Sequence, residues 1–354
     1  MTGSDETSAD PAAFEPCWRW CEQIRRAVAE AIVGQDDLIE QVLVAMLAGG
    51  HVLAESVPGV GHKRLLDLLA RATQMTFRWI QCTVDLAPSD LVGAEVVAAD
   101  PTSGRPERTF VPGALFANVV LADEINLAPP RTQAALIEAM EHGEVRLADR
   151  SHALPQPFFV LAGENRLEPN RLEHEAGHPL RQAQRDQFLL EIRFDYPGAA
   201  QEWEIARRAT EEVEKRPAPV RSVDEVRAIQ QAVPRVGMSD QVLGYAWALV
   251  RSTRPASEEA PKFVEHWMDW GAGPRGLIAL VRSAKARALL DGRDHATVDD
   301  VEVLARPVLR HRIAGNDAAL AANLTNDRLI DMLLEAVPPD RPYRPPREPP
   351  LPDR

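Results

Sequence analysis

A loop with two glycines followed by basic residues is the stretch of this sequence with the clearest chemical potential. Residues 52–66 read VLAESVPGVGHKRLL, so a short apolar run leads through a Pro/Gly-rich loop into a segment with helical spacing. Glycines in such a loop let backbone N–H groups close around a phosphate, and the following helix N-terminus adds positive potential. This order predicts a phosphate-binding loop whose nucleotide-binding residues are Pro58, Gly59, Val60, Gly61, His62 and Lys63.

The loop departs from the common phosphate-binding sequence at three positions. Against the consensus G-x-x-x-x-G-K-[ST], Ser56 replaces the first glycine, His62 the lysine and Lys63 the hydroxyl residue. An imidazole is largely neutral near pH 7, and an ammonium group has no lone pair with which to bind Mg²⁺. We therefore predict weak binding of ATP or ADP, a poor Mg²⁺ site, and weak or absent ATP hydrolysis.

A second alignment would make Lys63 the motif lysine after a shift of one residue. The ungapped alignment places Leu65, Leu69 and Ala70 on one buried helix face and leaves Asp67 outside, as an amphipathic helix requires. The shift would add a residue to a tight turn and disturb that face. We keep the ungapped alignment, and a rewired loop of the same shape stays open as an alternative.

Polar residues follow two later apolar runs. Asp123 and Glu124 end the run 119–122, and Asn165 follows the run 158–162. In nucleotide hydrolases one such carboxylate binds Mg²⁺, the next acts on the attacking water, and a polar side chain orients that water. Each feature alone also fits an ordinary strand end or turn, but the three in this order after the loop indicate a nucleotide site. We further expect Lys63 to occupy the Mg²⁺ position and to pair with Asp123.

The apolar runs and helical segments define two domains. Continuous apolar runs that alternate with helices predict a parallel sheet covered on both faces, here within residues 14–197. After residue 198 the strand pattern stops, and six helical segments predict a small all-helical domain to residue 336. Residues 1–13 are predicted to be disordered, and 337–354 to be a Pro-rich extended tail. The irregular, Pro/Gly-rich stretch 88–115 is predicted to be a functional insertion.

Composition excludes several classes of protein. The chain has 354 residues and a formal net charge of −13, which disfavours broad nucleic-acid binding. No apolar run approaches the length of a membrane span, and the polar, acidic start does not resemble a signal peptide. The three cysteines are too few and too scattered for a disulfide framework. These features predict a cytoplasmic protein.

Several motifs together resemble the MoxR family of AAA+ ATPases over roughly residues 30–315. They are Val33-Gly34-Gln35, residues 48–53 (AGGHVL), 85–90 (DLAPSD), 112–118 (PGALFAN), 121–130 (LADEINLAPP), Thr132-Gln133, 138–141 (EAME) and 270–275 (WGAGPR). The resemblance implies an α/β AAA+ P-loop core followed by a helical lid. It also implies a hexameric ring, chaperone-like remodelling of other proteins, and partners with a von Willebrand factor A domain.

The resemblance also assigns roles to individual residues. It makes Asp123 the Mg²⁺-side carboxylate, Glu124 the catalytic base, Asn165 the first sensor and Arg275 the second. The family sequence Leu-Asp-Arg-Phe carries the arginine that reaches a neighbour's nucleotide, but residues 185–188 read RDQF here. Arg185 or Arg181 could substitute, although neither occupies the matching position.

Two classes of function remain open from the sequence. One is an ATP-driven remodelling enzyme whose turnover is impaired by its degenerate Walker A motif. The other is a catalytically inactive scaffold or regulatory subunit, a pseudo-ATPase that does not need nucleotide. A third class, a DNA-acting ATPase, is disfavoured by the acidic charge.

Overall fold

A computed structural model describes residues 14–57, 59–99, 106–147, 150–165, 177–210 and 222–340. Three predictions therefore lie outside the described residues: the disordered N-terminus, the tail beyond residue 340, and the contact of Pro58 with nucleotide. Within the described ranges, no helix combines the length and apolar character needed to cross a bilayer.

The first part of the chain alternates strands and helices. In chain order its elements are α1 Glu15–Ala31, α2 Asp36–Leu47, β1 Val52–Ser56, α3 His62–Ala72, β2 Phe77–Gln81, α4 Pro88–Val92, β3 Ala94–Ala99, β4 Pro106–Val111, β5 Val119–Asp123, a 3₁₀ turn Ile125–Leu127, α5 Pro130–His142, β6 Glu144–Leu147, β7 Arg150–Ala153, β8 Phe159–Asn165, α6 Gln182–Arg185 and β9 Leu190–Phe194.

Five of these strands form one parallel sheet in the order β2-β5-β8-β1-β9. The strands of its centre are buried on both faces, as their continuous apolar sequences require. Helices pack on both faces, and α5 shows how their ends are set. It begins at Pro130 and ends before Gly143, whose φ of 65° suits glycine. The predicted α/β fold is confirmed, and the carboxyl ends of the strands share one edge.

The stretch 88–115 is more regular than its composition predicts. It contains α4 and an antiparallel hairpin of β3 and β4, so the expectation of an irregular segment was wrong. Pro88, Gly93 and Pro106 stand at the ends of these short elements and hide their strand pattern. A second antiparallel hairpin follows as β6 and β7. Phe110 of the first hairpin stacks on His152 of the second, with ring centroids 3.8 Å apart.

The remainder of the described chain is helical, as predicted. Its elements are α7 Ala199–Ala209, α8 Val223–Ala232, a 3₁₀ turn Val233–Arg235, β10 Gly237–Met238, α9 Asp240–Ser252, α10 Lys262–Trp267, β11 Met268–Trp270, α11 Pro274–Leu290, β12 His295–Ala296, α12 Val298–Leu309, β13 Ala314–Gly315, α13 Asp317–Ala321 and α14 Asn326–Ala336. The prediction missed two short strand pairs, β10 with β12 and β11 with β13, which are too short to leave a pattern.

Buried arginines join this helical lid to the sheet domain. Arg312 is only 4% exposed, and its guanidinium bonds to Asp186 at 2.9 Å and to the Leu189 carbonyl at 3.1 Å. Arg287 of α11 bonds to Glu40 of α2 at 2.9 Å. Charge-assisted hydrogen bonds of this kind satisfy backbone carbonyls that would otherwise be buried without partners. The lid is therefore attached by directional contacts as well as by apolar packing.

Gly113 allows the segment after the first hairpin to lie directly against the end of α4. A Cβ atom here would lie 2.3 Å from the Leu91 carbonyl oxygen and 2.4 Å from the Gly93 nitrogen. Because both are backbone atoms, no rotamer change relieves the clash. We expect Gly113→Ala to destabilise the protein by about 1–3 kcal/mol in urea unfolding. Gly273→Ala is the control, since a Cβ there meets nothing within 4 Å. Equal unfolding midpoints for the two variants would contradict this packing.

Candidate nucleotide site

The predicted phosphate-binding loop leaves the carboxyl end of β1 and enters α3, which begins at His62. Gly59 and Gly61 have φ values of 84° and 88°, in the left-handed region that glycine adopts without strain. At both positions the space that a Cβ would occupy is open within 4 Å. The first turn of α3 contains no acidic residue. The loop therefore has the backbone shape and the open space of an anion cradle.

A cavity of about 530 Å³ lies beside this loop. Its apolar lining comes from the segment before α2, from the loop, and from α7 with the residues before it; it includes Val33, Val60, Pro197 and Ile205. Gln35, which has a left-handed backbone, donates from Nε2 to the Val60 carbonyl at 3.3 Å. An apolar cavity with a few polar groups next to an anion cradle is suited to a nucleotide base.

His62 contacts the carboxylate at the end of β5. Its Nε2 lies 3.4 Å from Asp123 Oδ1, and its side chain is 12% exposed. Burial would raise the pKa of the Asp123 carboxyl, but hydrogen bonds from His62 and Trp79 outweigh burial and hold that pKa below its usual value. Gly163 of β8 permits this arrangement, because a Cβ there would lie 2.9 Å from Asp123 Oδ1. The Asp123 carboxylate is therefore engaged by the chain's own side chains.

Lys63 does not pair with Asp123, so that prediction was wrong. Its Nζ lies 3.2 Å from the centroid of the Trp79 ring, in a cation–π contact. Consecutive helical residues point about 100° apart, and residue 62 is the one that faces β5. The next residue, Lys63, instead reaches β2, which forms the sheet edge beyond β5. Residue 63, where the consensus has a metal-binding hydroxyl, thus carries an ammonium group that contacts the indole ring of Trp79.

Glu124 and Asn165 stand at the same edge of the sheet as Asp123. Glu124 follows Asp123 directly and has a left-handed φ of 54°, and its Oε2 accepts a 2.6 Å hydrogen bond from Gln81 Nε2. Asn165 is the last residue of β8 and lies in register with Ser56 of β1, at the start of the loop. The parallel sheet therefore brings these two predicted catalytic residues next to the loop.

The residues around Asp123 do not fit Mg²⁺. This ion takes oxygen ligands in a near-ideal octahedron, whereas here Asp123 is engaged by His62 and Trp79, and Lys63 provides no lone pair. In the described part of the chain, no three His, Cys, Asp or Glu side chains come together as a metal site. The open loop and the apolar cavity beside Val60 are, by contrast, suited to a nucleotide.

Comparisons with known proteins agree with this geometry. Residues 51–190 match the ATPase family associated with various cellular activities (AAA), and residues 264–332 match the AAA lid domain. Chaperone MoxR1 of Mycobacterium tuberculosis is 34% identical over 341 residues, which cover 95% of this chain and 87% of that protein. This chain belongs to the MoxR family of AAA+ ATPases. The resemblance found in its motifs is thereby confirmed.

Other relatives of this MoxR-family protein share most of its length. Protein MoxR of Methylorubrum extorquens is 32% identical over 311 residues, covering 82% of this chain and 86% of the relative. A crystal structure of a candidate ATPase from Cytophaga hutchinsonii superimposes with a TM-score of 0.84 at 31% identity. The match covers 92% of this chain and 97% of that one. The AAA+ core and the lid are thus shared along the whole described fold.

Arg275 lies away from the loop of its own chain. Its guanidinium bonds to Glu141 at 3.0 Å, at the end of α5. The neighbouring Met140 carbonyl contacts the ring of His51, which precedes β1. Glu141 therefore lies at the amino edge of the sheet, and the five residues of β1, about 16 Å long, separate that edge from the loop. The MoxR fold does not bring Arg275 to Asp123 and Glu124 within one chain.

Arg185 is not available to a neighbouring subunit. Its guanidinium bonds to Glu164 at 2.5 Å and lies 3.7 Å from Glu191, and its side chain is 21% exposed. Gln187 occupies the position of the family arginine. Arg181 is exposed and precedes α6. Of the two substitutes considered from the sequence, Arg181 is thus the accessible one, while Arg185 is held by its contact with Glu164.

Sequence reasoning missed Trp79 and Gln81, which contact the site from β2. The alternation in this strand was visible in the sequence 77–81 (FRWIQ). Side chains two apart share one face of a strand, so residues 77, 79 and 81 face the same way. Parallel pairing places them beside Val119, Leu121 and Asp123. The sequence alone does not reveal the strand order, in which β2 is the neighbour of β5.

Proposed function

We propose that this protein is a ring-forming MoxR-type module that binds adenine nucleotide weakly and hydrolyses ATP slowly or not at all. We propose further that it remodels or assembles partner proteins in the manner of a chaperone. The observation that carries this proposal is the contact of His62 with Asp123. Residue 62 is not the lysine that normally binds the phosphates, and residue 63 is not the hydroxyl residue that normally binds the metal.

The chaperone role comes to this chain from its relative named Chaperone MoxR1. Two surfaces support work on other proteins. The β3–β4 hairpin exposes Val96, Val97 and Val111 at 42%, 68% and 48%, and it contacts the second hairpin through Phe110 and His152. We assign these joined hairpins to partner binding, with a von Willebrand factor A domain protein as the partner class that the family implies.

The position of Arg275 supports a ring. Arg275 is half-exposed and bonds to Glu141 at the amino edge of the sheet, so we assign its action to a nucleotide held by an adjacent subunit. In AAA+ rings, arginines supplied by one subunit stabilise the phosphates bound by the next. We therefore keep Arg275 as a second-sensor residue that acts between subunits, and Glu124 and Asn165 as residues that act within the chain.

A second candidate function is a scaffold that does not need nucleotide. One observation favours it: the site is satisfied by its own side chains, since His62 contacts Asp123 and Lys63 rests on Trp79. A protein that kept its ring and its partner-binding surfaces would need no further substitution in this site to lose ATP-driven activity. This candidate and the first differ in whether the cavity beside Val60 is ever filled.

Calorimetric titration separates the two functions. We expect ATP and ADP to bind the wild-type protein with the same affinity in Mg²⁺ as in excess EDTA, because Asp123 is engaged by His62 and Lys63 offers the metal no lone pair. The matched control is His62→Lys/Lys63→Thr, which should bind about 10- to 100-fold more tightly and only with Mg²⁺. Absence of any binding heat for the wild type would favour the scaffold. A strong Mg²⁺ requirement in the wild type would contradict both functions.

A further inference from the structure

Arg64 stands where the two parts of the candidate nucleotide site meet. A groove of about 640 Å³, lined in part by His62, Lys63 and Asp123, continues from the base cavity along the phosphate side. Among the described residues, Gly59, Gly61 and Arg64 line both spaces. A nucleotide with its base in the cavity must pass its phosphate chain through this junction. The other two are glycines, so Arg64 is the only one of the three whose side chain is larger than a hydrogen atom.

Arg64 is also the least engaged cation of this region. Its side chain is exposed, and within the described ranges it makes no ion pair, hydrogen bond or ring contact. The other cations have partners: Arg71 bonds to Asp67 at 2.7 Å, Lys63 rests on Trp79, and Arg208 bonds to Glu204 at 2.7 Å. A phosphate chain at the junction would therefore meet one cation that gives up no contact in binding it.

Two adjacent cations at this point of a helix oppose the stability of the fold. Lys63 and Arg64 lie in the first turn of α3, which has no acidic residue. The helix macrodipole makes that end positive and disfavours cations there. An ordinary solvated surface arginine would be better placed in the last turn, where Arg71 is found. The placement of Arg64 is explained if an anion occupies the junction.

We infer that Arg64 holds the phosphate chain of a metal-free nucleoside diphosphate or triphosphate, in place of the lysine that the loop has lost. The inference rests on the proposed nucleotide binding. A guanidinium stays charged at any physiological pH and can donate two parallel hydrogen bonds to a phosphate. It needs no Mg²⁺ between itself and the oxygens. The positive charge of the motif has thus moved two residues along the chain, from position 62 to position 64.

Calorimetry in excess EDTA tests this role, with ADP, inorganic tripolyphosphate and adenosine as the probes. We expect Arg64→Ala to weaken binding of ADP and tripolyphosphate by about 10- to 100-fold, to leave adenosine binding unchanged, and to keep or raise the melting temperature. Arg64→Lys should retain part of the affinity. The matched control is Arg78→Ala, which removes the same charge from an exposed position that lines neither space.

The outcomes separate this inference from the proposed function. If the wild type binds ADP and Arg64→Ala binds it equally well, the role of Arg64 is refuted while nucleotide binding stands. If Arg78→Ala weakens binding as much as Arg64→Ala, the loss of affinity reflects the net charge of the protein and not a contact at residue 64, and the role of Arg64 is again refuted. If the wild type binds none of the three probes, the proposed nucleotide binding fails and the role of Arg64 fails with it.

Discussion

The double variant His62→Lys/Lys63→Thr is expected to hydrolyse ATP about 10²- to 10³-fold faster than the wild type when Mg²⁺ is present. The new lysine restores a permanent cation against the phosphates, and the new hydroxyl restores a metal ligand beside Asp123. The substitution also breaks the His62–Asp123 contact, which now occupies the carboxylate. Steady-state phosphate release by the two proteins at equal concentration measures the difference.

The control for this variant is Glu124→Gln in the same background. It should return hydrolysis to the wild-type level, because the base held by Gln81 would be removed. Even the double variant should stay slow for an AAA+ ATPase, since Gln187 stands in place of the intersubunit arginine, whose absence costs about 10³–10⁵ in rate. Equal turnover of the double variant and the wild type would contradict the importance given to residues 62 and 63.

Glu191→Gln is expected to change how the stability of the protein depends on pH. Glu191 is 3% exposed, and burial together with neighbouring Glu55 raises its pKa to about 7, which Arg185 only partly offsets. Its carboxyl is therefore protonated in the folded protein over a range in which the unfolded chain, with a pKa near 4.5, is already ionised. The neutral form favours folding, and this contribution is fully present below about pH 4.5 and lost as the pH rises through 7.

The expected size of this effect follows from the shift. A pKa raised from 4.5 to about 7, at about 1.4 kcal/mol per unit, corresponds to a loss on the order of 3 kcal/mol between pH 4.5 and 7.5. Urea unfolding at several pH values should show this loss in the wild type and a flatter profile in Glu191→Gln. Glu138→Gln, at an exposed position of α5, is the control. Parallel profiles for the wild type and Glu191→Gln would contradict the buried, neutral state of Glu191.

The fold could be predicted because its signals are local. Apolar runs such as 119–122 are long enough to mark buried strands, and the helical spacing after residue 198 corresponds to the helices of the lid. The positions of Asp123, Glu124 and Asn165 also followed, because parallel strands place their carboxyl ends at one edge. Sequence spacing therefore predicts the order of the helices and strands, and the edge of the sheet at which the carboxyl ends of the strands meet.

The pairing of charged side chains could not be predicted from spacing. Lys63 was expected on Asp123, but the direction in which each residue of the first turn points assigns that contact to His62. Arg185 was a candidate for a neighbour's nucleotide, yet the strands carrying Glu164 and Glu191 enclose it. Arg275 depends on how the lid packs against the sheet. The contacts His62–Asp123, Arg185–Glu164 and Arg275–Glu141 each join residues more than 20 positions apart in the chain.

ATP hydrolysis by the purified wild-type protein, in Mg²⁺ and in excess EDTA, tests the loss of function at residues 62 and 63 most directly. We expect phosphate release near the uncatalysed background in both conditions. The reason is that His62 and Lys63 supply neither the permanent cation on the phosphates nor the metal-binding hydroxyl. Rapid hydrolysis that depends on Mg²⁺ and is abolished by Glu124→Gln would contradict this loss of function.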